Sequence, residues 1–256
     1  MEQQKPKADF NVADKRELVD QEAVRESFIN TLMRIHSLSE ANATMIFERE
    51  SSYFKKAVFE NRDLKESTGI SLVSAFLEIA INKLSIQPGY QSLARIALRS
   101  NKVNENNREV WVKTAYFEIS AYGERDMRIN SGQMKYMSNP IVIWQGDHFQ
   151  PKTNDRGVLI VDYVPKIPRE KIDVDGKKIS VIVGAWCSIT RMDGSLDFKW
   201  LLLDEIDRLE KYSTPKTSTN NPNPKANALY SSFEGGQIDP GFLETKCMKQ
   251  DRKSVV

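Results

Sequence analysis

Histidine and cysteine are scarce in this chain, with His36, His148, Cys187 and Cys247 the only examples in 256 residues. That supply is too small for a zinc centre, whose four ligands come mainly from these two residue types. Neither histidine stands near a serine or cysteine in a recognisable nucleophile context, so both read as structural. The G-x-x-x-x-G-K-[ST] phosphate loop is missing, which argues against an ATP-driven strand-exchange enzyme. No window approaches the roughly 18 apolar residues of a membrane-spanning helix. Met1 to Lys15 is polar, with charges of both signs and none of the apolar run of a secretory signal. The two distant cysteines therefore read as reduced thiols of a soluble, cytoplasmic protein rather than as one structural disulfide. An excess of either charge is also lacking: 37 Lys and Arg face 35 Asp and Glu, for a net charge of +2. Any groove for nucleic acid has to come from uneven placement of charge.

Metal chemistry finds little support. Asp173-Val174-Asp175-Gly176 begins like a calcium loop but lacks the third acidic position and the distal glutamate, so it reads as a hairpin turn. A metal-dependent nuclease needs carboxylates converging on Mg²⁺. Glu244-Thr245-Lys246 offers only a bare E-x-K on a predicted helix. The chain is read as non-hydrolytic, with no required cofactor.

What is present is a change of period along the chain. Residues 1 to about 20 read as a flexible polar arm. Val24, Phe28, Leu32 and Ile35 fall on one face of a helix over Glu22 to Ser37, and a second helix covers Ala41 to Glu60. A third runs from Leu72 to Leu84, with Ser71 as its cap and Pro88-Gly89 as its stop. Alternation then takes over. Ala94, Ile96 and Leu98 oppose Arg95, Ala97 and Arg99 in one strand, a polar turn spans Asn101 to Asn107, and Trp111 to Tyr122 alternates again. Arg125 to Met137 favours helix, and Ile141–Phe149 and Val158–Val164 read as strands. Asp175-Gly176 and Asp193-Gly194 mark tight hairpin turns. A charged helix follows over Asp204 to Lys211. Residues 213–241, rich in Ser, Thr, Asn, Pro and Gly, read as a mobile polar loop, and Phe242 to Lys253 as a terminal basic helix. The expected fold is α+β: an N-terminal helical layer packed with a curved antiparallel sheet of hairpins, over a core from 21 to 212.

Binding of single-stranded DNA needs cations that follow phosphates and flat side chains that receive bases. Arg95 and Arg99 share an outward strand face, and Tyr116 and Tyr122 share the matching face across the hairpin. Arg125, Arg128 and Lys135 continue that surface. Glu118, Glu124 and Asp126 dilute it, so a merely solvated face is the competing reading. Lys246, Lys249 and Lys253 form a stripe on the last helix, where lysines also complement the helix dipole.

Several segments, in order, resemble the RecT-type single-strand annealing proteins of phages. They are Ser71-Leu-Val-Ser-Ala through Pro88-Gly89, Ile119-Ser-Ala-Tyr122 followed by Ser131-Gly132-Gln133, Ile141-Val-Ile-Trp-Gln-Gly146-Asp147 with Phe149, and Val183-Gly-Ala-Trp through Asp193-Gly194 with Phe198. The series covers about Glu26 to Lys253. Ala121-Tyr-Gly-Glu124 stands where the family reads G-Y-[KR]-G. The resemblance implies a mixed α/β domain that forms rings or helical filaments and anneals complementary strands without ATP. It implies Mg²⁺ as a modulator of DNA binding rather than a catalytic metal. The implied partners are single-stranded DNA, the annealed duplex, a phage exonuclease and the host single-strand binding protein. The candidate DNA contacts are Arg95, Arg99, Lys113, Tyr122, Arg125, Arg128, Lys246, Lys249 and Lys253. The alternative is a phage-derived scaffold or interaction protein of the same fold that does not anneal.

Overall fold

The computed structural model describes residues 8–89, 91–105, 108–155, 157–174, 176–215 and 225–249. Helices come first: α1 (Glu22–His36), α2 (Glu40–Glu60), the short α3 (Arg62–Lys65) and α4 (Gly69–Asn82). Three residues of the expected α1 stripe, Val24, Phe28 and Leu32, lie in the core, whereas Ile35, in the last turn, is exposed. Phe47, Phe54 and Val58 of α2 and Leu72, Phe76 and Ile79 of α4 close on it. Phe76 is the hub: its ring stacks on Phe28 at 4.7 Å and meets Phe54 and Phe47 edge-on at 5.2 and 6.1 Å. Each such side chain contributes about 1.5–3 kcal/mol by leaving water.

The polar start of the chain is docked from residue 8 onward, not a free arm. Lys15–Asp20 form a 3-10 turn, capped by the Asp14 side chain, that buries Leu18 and Val19. Ala8, Phe10 and Val12 pack against the same core. These few apolar residues inside a charged run anchor it, and composition averages hid them.

Helix α4 starts at Gly69 rather than beyond Ser71, so Ser71 is not its cap. The Ser71 hydroxyl donates to the Thr68 carbonyl at 2.8 Å and accepts from the Ala115 backbone N–H at 2.9 Å. It stitches the helix to the strand beside it. The helix stops at Lys83, which takes a left-handed φ of 51°, well before Pro88-Gly89. The following turn is held by the fully buried carboxylate of Glu50, which accepts from Ser85 Oγ at 2.8 Å and from the Ile86 N–H at 3.0 Å.

Strands β1 (Ala94–Glu105) and β2 (Arg108–Ile119) form one antiparallel hairpin with Arg95 opposite Glu118, Ala97 opposite Tyr116 and Arg99 opposite Thr114. The expected polar turn from Asn101 is strand as far as Glu105. Cross-strand contacts explain this: Asn101 Nδ2 donates to Thr114 Oγ1 at 3.0 Å, and Lys102 pairs with Glu109 at 2.5 Å. Helix α5 (Ala121–Asn130) follows at once. Its Gly123 lies against the Leu93 carbonyl, where an added Cβ would come within 2.1 Å of the oxygen.

Two compact units divide the chain, Met1–Met127 and Arg128–Val256, with the boundary inside the span expected as one core. The second unit contains β3 (Tyr136–Met137), β4 (Ile141–Trp144), β5 (His148–Thr153), β6 (Leu159–Val164), β7 (Ile172–Val174), β8 (Lys177–Ile179), β9 (Ile182–Thr190), β10 (Leu196–Leu202), α6 (Leu203–Ser213) and α7 (Pro240–Lys249). Its central sheet runs β10–β9–β3, with β4 also pairing β9, while β5–β6 and β7–β8 are separate two-stranded sheets. The fold is thus mixed α+β, but the strands of the described residues form four small antiparallel sheets and not one curved sheet. Most hairpins pair only with themselves.

The expected strand Ile141–Phe149 is broken in two by Gly146, at φ 88°, and Asp147. The Asp147 carboxylate accepts from the Trp144 N–H at 2.9 Å, from Tyr163 Oη at 2.9 Å and from the Lys166 N–H at 2.8 Å. Burial, reinforced by that bond to Asp147, pushes the Tyr163 hydroxyl up to about 12. The Asp193-Gly194 turn is a three-residue loop, closed by Arg191 N–H to the Ser195 carbonyl at 2.9 Å, with Gly194 at φ 84°. Residues 225–239 are also more structured than their composition implied. They form two 3-10 turns, Ala228–Tyr230 and Glu234–Gly236, and bury Tyr230 and Ile238.

Candidate nucleic-acid interface

On the hairpin, the expected outward face is realised. Arg95 and Arg99 lie exposed on β1, and Tyr116 stands between their partners on β2. Their situations differ. The Arg95 guanidinium is held by Glu118 at 2.5 Å, whereas the Arg99 guanidinium sits 5.1 Å from the centroid of the Tyr116 ring. Among the described residues no carboxylate lies within ion-pair distance of Arg99. A cation over an aromatic face keeps its charge available to a phosphate while the ring is held flat.

Lys113 is on the opposite face and points to the helices. Its amine bridges Asp63 at 2.7 Å and Glu66 at 2.6 Å. The hydrogen bonds to Asp63 and Glu66 raise its pKa and hold both carboxyls below their ordinary values. These contacts fasten the hairpin to α3 and leave little of the charge for a ligand. Sequence spacing could not show this, because the partners lie outside the strand pattern altogether.

Tyr122 is corrected outright. It belongs to α5, not to the end of β2, and its side chain is buried with the Arg125 guanidinium 5.2 Å from its ring. The strand ends at Ile119, where Ser120 N–H donates to the Leu93 carbonyl at 2.9 Å and turns the chain into helix. Tyr122 therefore does not share a surface with Tyr116. Arg125 is half-buried, with Asp126 at 4.0 Å.

In the second unit, Arg128 is half-buried and its positive charge, after burial itself, helps depress the amine of Lys199 on β10. Lys199 was missed from the sequence. It falls on the strand phase that faces α7, where an apolar residue is the ordinary occupant. Lys246 and Lys249 are on α7 as expected, but Lys246 is half-buried, its amine 4.8 Å from the Phe242 ring and 5.7 Å from that of Tyr230. Burial and then the neighbouring Lys249 lower its pKa. Lys253 lies outside the described residues, as does the end of the expected helix.

A further aromatic-cation pair stands toward the hairpin tip. Trp111 is 65% exposed, with the Lys102 amine 5.5 Å from its ring centroid. Its signal was readable: Trp111 continues the phase of Ala115, Phe117 and Ile119 past the point where the helices stop covering it. Among the described residues, no group of three or more His, Cys, Asp or Glu side chains is placed to hold a metal ion, and no helix is long and apolar enough to cross a membrane.

No protein-family model matches the chain, and no curated protein matches it either.

Proposed function

We propose that this chain is an ATP-independent single-stranded-DNA-binding protein that anneals complementary strands, with a RecT-like fold and a phage-type role in recombination. The observation that carries the reading is Arg99 over Tyr116, next to Arg95, on an exposed antiparallel face. Phosphates run along the arginines, and the tyrosine ring offers a sequence-neutral stacking surface. The protein works without hydrolysis. Protomers assemble into a ring or filament and hold a strand extended, bases outward, until a complementary strand pairs with it. In this reading Mg²⁺ tunes DNA binding, the site of action is the cytoplasm, and an exonuclease and a host single-strand binding protein act alongside.

A scaffold role without annealing is the second reading. The ion pairs of Arg95 and Lys113 and the placement of Lys246 over two rings favour it, since each removes a cation from free presentation. Titration of a labelled single strand at several salt concentrations separates the two. A protein that neutralises several phosphates loses affinity steeply between about 50 and 200 mM salt. Arg99→Ala is expected to flatten that slope by about one contact, and no binding at low salt overturns the reading in favour of the scaffold.

A further inference from the structure

Cys187 and Cys247 are far apart in sequence, yet both are fully buried free cysteines. Strand β9 alternates so that Ala185, Cys187 and Ile189 are buried on one side while Trp186 and Ser188 turn to the other. Helix α7 packs on β9 through Leu243, Cys247 and Met248. The two thiols thus lie in the one buried seam between β9 and α7, and each acts on the other's titration. The neighbouring Cys187, followed by burial, raises the Cys247 thiol. Cys247 in turn lowers Cys187, with help from the positive charge of Lys199, which lies opposite it in the register. A buried cysteine alone behaves as a small apolar side chain. Two in one buried seam, with a half-buried lysine opposite Cys187, form a dithiol in which Cys187 is disposed to act as nucleophile.

We propose that Cys187 and Cys247 form a redox switch that closes to a disulfide between β9 and α7 and pins the helix carrying Lys246 and Lys249. The oxidant is a peroxide. The Cys187 thiolate attacks one peroxide oxygen, the O–O bond breaks, and one water leaves once the departing hydroxide is protonated. The Cys247 thiolate then attacks the sulfur of the resulting sulfenic acid, the S–O bond breaks, and a second water leaves. Overall two thiols and one hydrogen peroxide give one disulfide and two waters, with two electrons passing from sulfur to peroxide. Full burial means that reaction waits for local opening of α7, a ten-residue helix, so the switch responds to sustained oxidation rather than to brief exposure. The dithiol state is restored by a reducing thiol.

The test uses the full chain, reduced and then treated with hydrogen peroxide in native buffer, followed by alkylation under denaturing conditions. The expected product is lighter than the reduced protein by two hydrogens, takes up no alkylating agent, and yields one peptide pair joined through Cys187 and Cys247. Dithiothreitol reverses the change. The thermal midpoint is expected to rise by roughly 5 °C or more, as a cross-link over a long loop implies. Cys187→Ser should keep its alkylatable Cys247 thiol after peroxide, Cys247→Ser should stop at an oxidised Cys187 with no cross-link, and neither should show the midpoint rise, with circular dichroism checking that each variant is folded. Two alkylated cysteines after treatment, a sulfinic acid without a cross-link, or a cross-link formed only in urea would each overturn the proposal. No DNA enters the readout, so its failure leaves the annealing reading untouched.

Discussion

The two units handle charge in opposite ways. In the first, a core of stacked and edge-on phenylalanines around Phe76 settles stability, and the cations are left on the outside of a hairpin. In the second, cations are drawn inward: Lys199 is depressed by burial, and Lys246 rests on Phe242 and Tyr230. The aromatics differ as well. Trp186 is only half-buried, among Phe149, Tyr163 and Phe198 at ring distances of 5.6–6.2 Å, under a hairpin and not at the centre of a helical bundle. An exposed cation meets a phosphate at little desolvation penalty but is screened by salt. A half-buried one is stiffer and serves packing as much as binding. Under the proposed function, the contrast gives first contact with DNA to the hairpin and a structural share to the α7 lysines.

The largest effect is expected from breaking the first unit's core. Phe76→Ala should destabilise it by about 3–5 kcal/mol, whereas Trp186→Ala in the second unit should cost less, because that ring is only partly removed from water. Paired thermal melts of the two variants decide this; equal losses contradict the contrast. Next comes Gly123→Ala. The Leu93 carbonyl cannot retreat without moving the strand entry, so a loss of about 1–3 kcal/mol is expected in chemical denaturation. Binding effects follow. Tyr116→Ala should weaken single-strand affinity by about 1–3 kcal/mol if it stacks a base. Arg95→Ala should do less than Arg99→Ala, since Glu118 already engages Arg95, and a fluorescence-anisotropy titration ranks the three. The smallest effect concerns pH. Asp63 and Glu66 are held below their ordinary 3.8 and 4.5 by Lys113, so their stabilisation is present above those values and fades as pH falls through the lowered ones. The gap in melting temperature between the parent chain and Lys113→Met should therefore narrow on acidification from about pH 6 to about pH 3.

Local patterns were the legible part. Val24, Phe28 and Leu32 marked the buried face of α1, and the alternation of Ala94–Arg99 placed Arg95 and Arg99 outward before any partner was known. What spacing could not supply was contact at long range. Ser71 looked like a cap because capping residues commonly precede helices, but its hydroxyl serves the Ala115 N–H on a strand over forty positions away. Lys113 read as a free cation because its carboxylate partners belong to α3. Asp147 sat inside an apolar run that resembled one strand, and only its three donors show that it ends one strand and begins another. Tyr122 kept perfect alternation with Tyr116, yet the chain had already turned into helix. Strand periodicity does not announce where pairing stops.

The measurement that tests the central claim most directly is annealing of two complementary dye-labelled oligonucleotides by the purified chain without ATP, beside a non-complementary pair. Acceleration confined to the complementary pair is the expected result. Tight binding with no acceleration, or no binding at about 50 mM salt, where phosphate contacts are strongest, contradicts the annealing function.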